Sequence, residues 1–273
     1  MTMLPGPIKE EVDFLNEISA LNNEMANTQR CLVKQNMEVI RLNKQLKEVN
    51  SNLEQFTYVA SHDLKEPLRM ITAFMELLKK KYGESLDEKA NSYINFAIDG
   101  GFRMHNMIND LLEFSRTGDN TAAKKAANLE TIVNEVKMIL AKQIEDTDAK
   151  ILLNSTLPVI KVNKSELSRV FQNLLSNAIK FCKKGQSPVI QINSMEMEHD
   201  WLFTIEDNGI GIDSEKFGTV FEVFTRLHLR SEYEGTGIGL AICKKIIERH
   251  GGKIWITSEK FVGSIFHFTL PKS

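Results

Sequence analysis

Asn173-Leu174-Leu175-Ser176-Asn177-Ala178-Ile179-Lys180-Phe181 has the spacing of an α-helix with two different sides. Leu174, Leu175 and Ile179 supply a buried side, whereas Asn173 and Asn177 stand one turn apart, with Lys180 one further turn along. Asparagine is a poor helix former, so two on one face invite a chemical reason. Two amide oxygens so placed can hold a Mg²⁺ that keeps water and phosphate as its other ligands. An ordinary helix with two exposed asparagines is the bland alternative.

Outward from this helix, helical periodicity over 128–146 and 164–181 alternates with short β-like runs. These are Ile151–Asn154, Val189–Asn193, Trp201–Glu206, Lys253–Thr257 and Ser264–Leu270. The runs are partly alternating and are separated by Gly, Pro or Asp-Asn turns, so residues 128–273 are expected to form an α+β domain with helices covering one face of a mixed sheet.

Two loops in that domain stand out. Asp207-Asn208-Gly209-Ile210-Gly211-Ile212 directly follows a strand. It reads as a hairpin turn, or as a buried carboxylate that accepts from an exocyclic amine such as adenine's while Gly209 and Gly211 let a flat base approach the backbone. Gly235-Thr236-Gly237-Ile238-Gly239-Leu240 enters the helix Ala241–Arg249. Glycines there leave N–H groups free for phosphate oxygens at the positive end of the helix dipole. The Walker A spacing is absent. The stretch Ile212–Glu234 between the two loops, with Phe221, Phe224, Arg226, His228 and Arg230, is expected to be a mobile cover.

The N-terminal half is helical. From Ile18 the apolar residues Leu21, Met25, Leu32, Val39, Leu42, Leu46, Val49, Leu53 and Phe56 follow steps of three and four, broken only by Thr28 and Gln35. A period of 3.5 predicts a coiled coil, a rod of ~58 Å at 1.5 Å per residue, and hence a dimer. One long surface helix lying on its own domain is the alternative. The helix continues to a turn at Gly83-Glu84-Ser85, and a second runs from about Asp87 to Ser115, with Ile94, Ala97, Met104, Ile108 and Leu111 on one face. Two such hairpins from two chains make a four-helix bundle.

Within the first helix, Ala60, Leu64, Ile71, Met75 and Leu78 are expected to face the bundle, which sends His62 ~200° away, toward solvent. An exposed neutral imidazole is a good nucleophile. Adjacent Asp63 can hold one ring nitrogen protonated and turn the other toward an electrophile. Pro67 frees the carbonyl of Asp63, which predicts a bend.

Composition narrows the classes. The 273 residues suit two or three modules, and 42% hydrophobic with 26% charged residues excludes wholesale disorder. A formal net charge of −2 gives no general drive toward nucleic acid or an anionic membrane, so any phosphate must be held locally. Cys31, Cys182 and Cys243 show neither disulfide nor zinc spacing. No apolar run reaches the ~18 residues of a membrane span, so a soluble, cytoplasmic chain without nucleic-acid or membrane contact is expected.

The order His62-Asp63-Leu64-Lys65-Glu66-Pro67, Asn173…Asn177, Asp207-Asn208-Gly209-Ile210-Gly211, Phe221…Phe224, Gly235-Thr236-Gly237-Ile238-Gly239-Leu240 resembles a two-component sensor histidine kinase. The similarity spans about residues 56–271, and five motifs in one order are far more specific than any one. The resemblance implies a multi-domain α and α+β chain. It would have an N-terminal coiled coil (1–55), a dimerisation and phosphotransfer hairpin (56–117), a linker (118–127) and an α/β-sandwich Bergerat ATP-binding domain (128–273). It implies ATP and Mg²⁺, a homodimer, and a response-regulator receiver domain as partner. His62 would be the phosphoacceptor and Asp63 its general base. Asn177, assisted by Asn173, would hold Mg²⁺, and Lys180 and Arg226 would touch phosphates. Asp207, Gly209 and Gly211 would serve adenine, while Gly235, Thr236, Gly237 and Gly239 would form the phosphate loop. Asn173 occupies the place of the water-activating glutamate of the gyrase and Hsp90 hydrolases, the first rival reading; a non-catalytic dimeric scaffold is the second. Glu66 stands where members that also dephosphorylate their partner often carry Thr or Asn.

Overall fold

A computed structural model describes residues 6–116, 124–225 and 235–272. Helix α1 spans Gly6–Tyr82 and is helical on both sides of Pro67. Two compact units divide the chain, Met1–Phe56 and Thr57–Ser273. In the first, the seam side chains Ile18, Leu21, Met25, Leu32, Val39, Leu42, Leu46 and Val49 are all exposed.

In the second unit, the remaining part of α1 forms an antiparallel hairpin with α2 (Glu88–Arg116) through a short 3₁₀ turn at Gly83–Ser85. Asn91 staples that turn, its amide donating to the carbonyl of Gly83 at 2.8 Å. Asp87 caps α2 by accepting from the Ala90 N–H at 2.6 Å. The two helices approach closely: a Cβ on Gly101 would sit 2.2 Å from the Thr72 hydroxyl.

Within a single chain only part of the expected bundle faces is covered. Ser61, Leu68 and Thr72 of α1 are buried, while Leu64 and Ile71 are 57% and 55% exposed. On α2 the buried residues are Ile94, Ile98 and Gly101, whereas Met104 is 52% exposed and Ala97 is also exposed. Leu68, Ile94 and Ile98 are buried together with the small residues Ser61, Thr72 and Gly101, and the larger apolar stripe Leu64, Ile71, Phe74 and Leu78 is left outward.

The α+β part is a two-layer sandwich. A five-stranded sheet has the order β2 (Lys150–Leu153), β4 (Val189–Glu196), β5 (Asp200–Asp207), β7 (Gly263–Pro271), β6 (Ile254–Glu259). Only the β2–β4 pair is parallel. Two strands were not anticipated: β1 (Lys125–Asn128) pairs antiparallel with β3 (Val159–Val162). The linker expected over 118–127 therefore gives way to strand at Lys125. The single helix expected over 128–146 is two, α3 (Leu129–Ile139) and α4 (Ala141–Thr147), broken at Leu140, whose ψ of 5° leaves the helical region.

With α5 (Lys164–Lys180) and α6 (Gly239–Arg249), these helices bury Leu129, Ile132, Phe171 and Leu174 against Ile192, Ile205 and Phe268. Phe203 stacks on Phe268 at 5.0 Å, and Phe171 meets it edge-on at 5.9 Å. Burial alternates strictly along β7, the pattern of a sheet covered on one side. Asn163 caps α5 by accepting from Ser165 and Glu166 N–H, which fixes where the amide-bearing helix starts. No helix among the described residues is long and apolar enough to cross a membrane.

Candidate active site

The C-terminal end of β5, the last turns of α5 and the first turn of α6 converge on one cavity of about 620 Å³. Asn173, Asn177 and Lys180 line it from α5, Asp207 and Gly211 from the β5 end, and Gly235, Thr236, Gly237 and Gly239 from the loop before α6. Residues 173 to 239 thus meet because α5 and α6 pack side by side over the sheet.

Asp207 sits at the strand end, half-buried. Its Oδ1 accepts the Gly209 N–H at 2.8 Å and the Ser264 N–H at 3.2 Å. Burial pushes its carboxyl up to about 6, against the pull of those two backbone donors. Among the described residues Oδ2 takes no hydrogen bond, so it is available to a donor in the cavity. Gly209 is buried outside the cavity wall; a Cβ there would lie 2.6 Å from the carbonyl of Phe181. It acts through Asp207, not on a ligand directly. Gly211 does line the cavity, with φ +67, and a Cβ would fall 2.1 Å from the Glu259 carbonyl. That close approach excludes any side chain.

Asn173 donates its amide N–H to the Gly239 carbonyl at 3.2 Å, which ties α5 to the start of α6 and leaves the amide oxygen for other use. The Asn177 side chain lines the cavity and takes no hydrogen bond among the described residues. Lys180 Nζ stands 4.0 Å over the Phe181 ring, and 3.0 Å from where a Gly235 Cβ would be. The entry to α6 has no side-chain cap, and Ile238 N–H reaches only Thr236 Oγ1, at 3.4 Å. Uncapped amides, a lysine and free amide oxygens make this end of the cavity suited to a hydrated cation with a polyphosphate.

His62 and Asp63 lie outside the cavity, on α1. His62 Nδ1 and Asp63 Oδ1 are 3.2 Å apart, and both side chains are about 70% exposed (70% and 71%). This geometry directs Nε2 outward. Arg226, His228 and Arg230 lie outside the described residues, as does 226–234 of the expected cover. Within its described part, Val220 and Thr225 line the cavity and Phe221 meets Phe266 edge-on at 6.5 Å.

One wall was not foreseen. Asp99, Phe102, Arg103, Asn106, Asn109 and Asp110 of α2 face the cavity. Their helix carries no charge run to signal it, and only the tertiary fold brings it there.

Two family profiles match the chain: "His Kinase A (phospho-acceptor) domain" over residues 52–120, and "Histidine kinase-, DNA gyrase B-, and HSP90-like ATPase" over 162–273. The chain belongs to the histidine kinases. His62 falls in the first match, and Asn173, Asn177, Asp207 and the glycine loop fall in the second. The phytochrome-like protein Cph1 of Synechocystis sp. is 40% identical over 240 residues, covering 88% of this chain and 32% of that protein. Cyanobacterial phytochrome A of Nostoc sp. is also 40% identical over 240 residues, with 88% and 31% covered. The chain therefore spans about a third of the length of the curated relatives it matches, 32% and 31%. Among solved structures, histidine kinase ThkA in complex with response regulator protein TrrA is 26% identical with TM-score 0.57, covering 83% of this chain and 64% of that one.

Proposed function

We propose that the chain is the core of an ATP-dependent protein-histidine kinase that phosphorylates His62 and passes the phosphoryl group to an aspartate on a response-regulator receiver domain. The observation that carries this is an exposed His62–Asp63 pair on a helical hairpin, in the same chain as a cavity built from Asn177, Lys180, Asp207 and the glycine loop. Asp207 Oδ2 accepts the adenine amine, and the α6 entry and Lys180 hold the phosphates. Asn177, assisted by the Asn173 oxygen, fits a Mg²⁺, which when bound supplies charge neutralisation on the phosphate oxygens.

Asp63 keeps the proton on Nδ1, so the Nε2 lone pair attacks the γ-phosphorus. The β–γ P–O bond breaks with its electrons leaving on ADP, the Nε2–P bond forms, and the Nδ1 proton passes by way of Asp63 to solvent. In the second step the N–P bond breaks and an acyl phosphate forms on the regulator's aspartate. The solved ThkA–TrrA complex supports such a partner. Positioning and charge neutralisation supply most of the rate, as in other phosphoryl transfers. Asn173, an amide bonded to Gly239, is no base for water, which favours transfer over hydrolysis.

The exposed seam of α1 and the outward stripe Leu64, Ile71, Phe74 and Leu78 support a homodimer, with a coiled coil over 1–55 and a four-helix bundle over 56–117. Residues 118–124 link it to a catalytic domain that starts with β1 at Lys125, and part of the 212–234 stretch closes over nucleotide. Because ATP is the phosphoryl donor, the kinase core is placed in the cytoplasm, where ATP is held. Incubation with γ-labelled ATP and Mg²⁺ tests the reading: an acid-labile, alkali-stable label is expected on the wild type. It should be absent from His62→Gln and from Asn177→Ala. Steady phosphate release without phosphoprotein would instead mark a hydrolase.

A further inference from the structure

Behind the Asp207 end of the cavity, three side chains form a row across neighbouring strands. Asp207 of β5 pairs with Ser264 of β7, which pairs in turn with Ser258 of β6. Asp207 and Ser264 line the cavity, whereas Ser258 stands outside its wall. Ser258 Oγ accepts the Ile212 N–H at 2.8 Å, donates to the Gly263 carbonyl at 2.8 Å and lies 2.9 Å from Ser264 Oγ. A serine hydroxyl has a single proton to donate. The Gly263 carbonyl can only accept, so the Ser258 proton is committed there and Ser264 must donate to Ser258. Ser264 is buried, at 5% exposure, and with its proton turned toward Ser258 only its lone pairs are left for a ligand. Asp207 agrees with this arrangement. Among the described residues its donors are the backbone N–H groups of Gly209 and Ser264, and the Ser264 hydroxyl supplies none.

We propose that Ser258 is a positioning residue that sets base selectivity: by holding the Ser264 proton it leaves the cavity wall with acceptors alone, Asp207 Oδ2 and Ser264 Oγ, so that the site takes a purine bearing an exocyclic amine and rejects one with a carbonyl in its place. The proposal deepens the nucleotide reading given above and rests on it. An adenine amine brings protons to these acceptors, directly or through a bound water. The carbonyl of guanine or hypoxanthine sets another acceptor against them, and a buried polar group left unpaired costs more than a hydrogen bond returns. Size cannot make this distinction, because amine and carbonyl fill nearly the same space; donor and acceptor placement can.

The same hydroxyl holds the adenine loop in place through Ile212, which also lines the cavity. Removing it frees the Ser264 proton to turn toward Asp207 or toward a ligand carbonyl, and either turn narrows the difference between the two kinds of purine.

The test compares ADP with inosine diphosphate, which carries the carbonyl in place of the amine, by calorimetric titration of the full chain with Mg²⁺. Wild type is expected to prefer ADP. In Ser258→Ala the ratio of the two affinities should fall roughly tenfold, while Ser258→Thr, which keeps the hydroxyl, should hold the wild-type ratio. Ser264→Ala should lower the ratio too, and Ser258→Ala should add little to it, because the two hydroxyls act as one unit. A merely structural hydroxyl would weaken both nucleotides in proportion in Ser258→Ala. That result, or a wild type that binds both alike, would overturn the proposal while leaving the nucleotide site standing. So would a ratio that holds or rises in Ser264→Ala, the variant that decides the matter if Ser258→Ala does not fold. Binding of neither nucleotide by any form would overturn the nucleotide reading and the proposal together.

Discussion

Asp207 carries a cost in the empty protein that a ligand recovers. Its carboxyl is pushed up to about 6 by burial, against an ordinary value of ~4. The folded chain therefore binds the proton more tightly than the unfolded one. This group's contribution to stability is most favourable below ~4 and is lost as pH rises through about 6, leaving a buried charge at neutral pH. Asp207→Asn keeps an oxygen for Gly209 and Ser264 but removes that charge. The nucleotide-free variant is expected to melt at the same or a higher temperature at pH 7.5, yet to bind ATP at least tenfold more weakly, because a buried ligand donor loses its charged acceptor. Protonation of wild-type Asp207 has the same effect on binding. ADP affinity should fall about tenfold between pH 7 and pH 5, following the ionised fraction of a group near 6. A flat pH profile from calorimetric titration would remove Asp207 from the adenine subsite.

At the scale of elements, the helices of the hairpin were legible and the residues of their contact within one chain were legible only in part. Steps of three and four mark apolar residues such as Ile94, which is buried, but the contact inside one chain is also made by Ser61, Thr72 and Gly101, which carry no apolar signal. Other apolar residues that carry it, Leu64 and Ile71, are left for another surface. Gly101→Val is therefore expected to cost about 1–3 kcal/mol by overpacking against Thr72, read as a lower midpoint in urea. Thr72→Gly in the same chain should recover part of it; no recovery would mean that the crossing is not where the strain falls. One of the two missed strands has a parallel cause, whereas Val159-Ile160-Lys161-Val162 is β-branched and alternating and does carry a strand signal. Lys125-Ala126-Ala127-Asn128 has low strand propensity, and its pairing with Val159–Val162 is supplied by tertiary contact alone. By contrast, the amide-bearing helix and both glycine loops were legible, because chemistry restricts residue type there more tightly than packing does.

Across the whole molecule, what the sequence hid is long-range: the hydrogen-bonded Asp110 and Thr236 are 126 residues apart, and nothing local in α2 announces that it walls a nucleotide cavity. The exposed seam of α1 is the opposite case, a long-range contact written locally as a heptad pattern. Leu42→Asp puts a charge into that seam and is expected to shift the chain toward monomer in sedimentation equilibrium. An unchanged mass would mean that the seam is not the dimer contact. The central claim is that Nε2 of His62 receives the phosphoryl group, because Asp63 holds Nδ1 at 3.2 Å. Phosphorus NMR of the chain after incubation with Mg·ATP distinguishes the two ring positions directly. A single phosphohistidine resonance of the Nε2 type, missing from His62→Gln, is the expected spectrum. A resonance of the Nδ1 type, or one that survives in His62→Gln, would contradict the account.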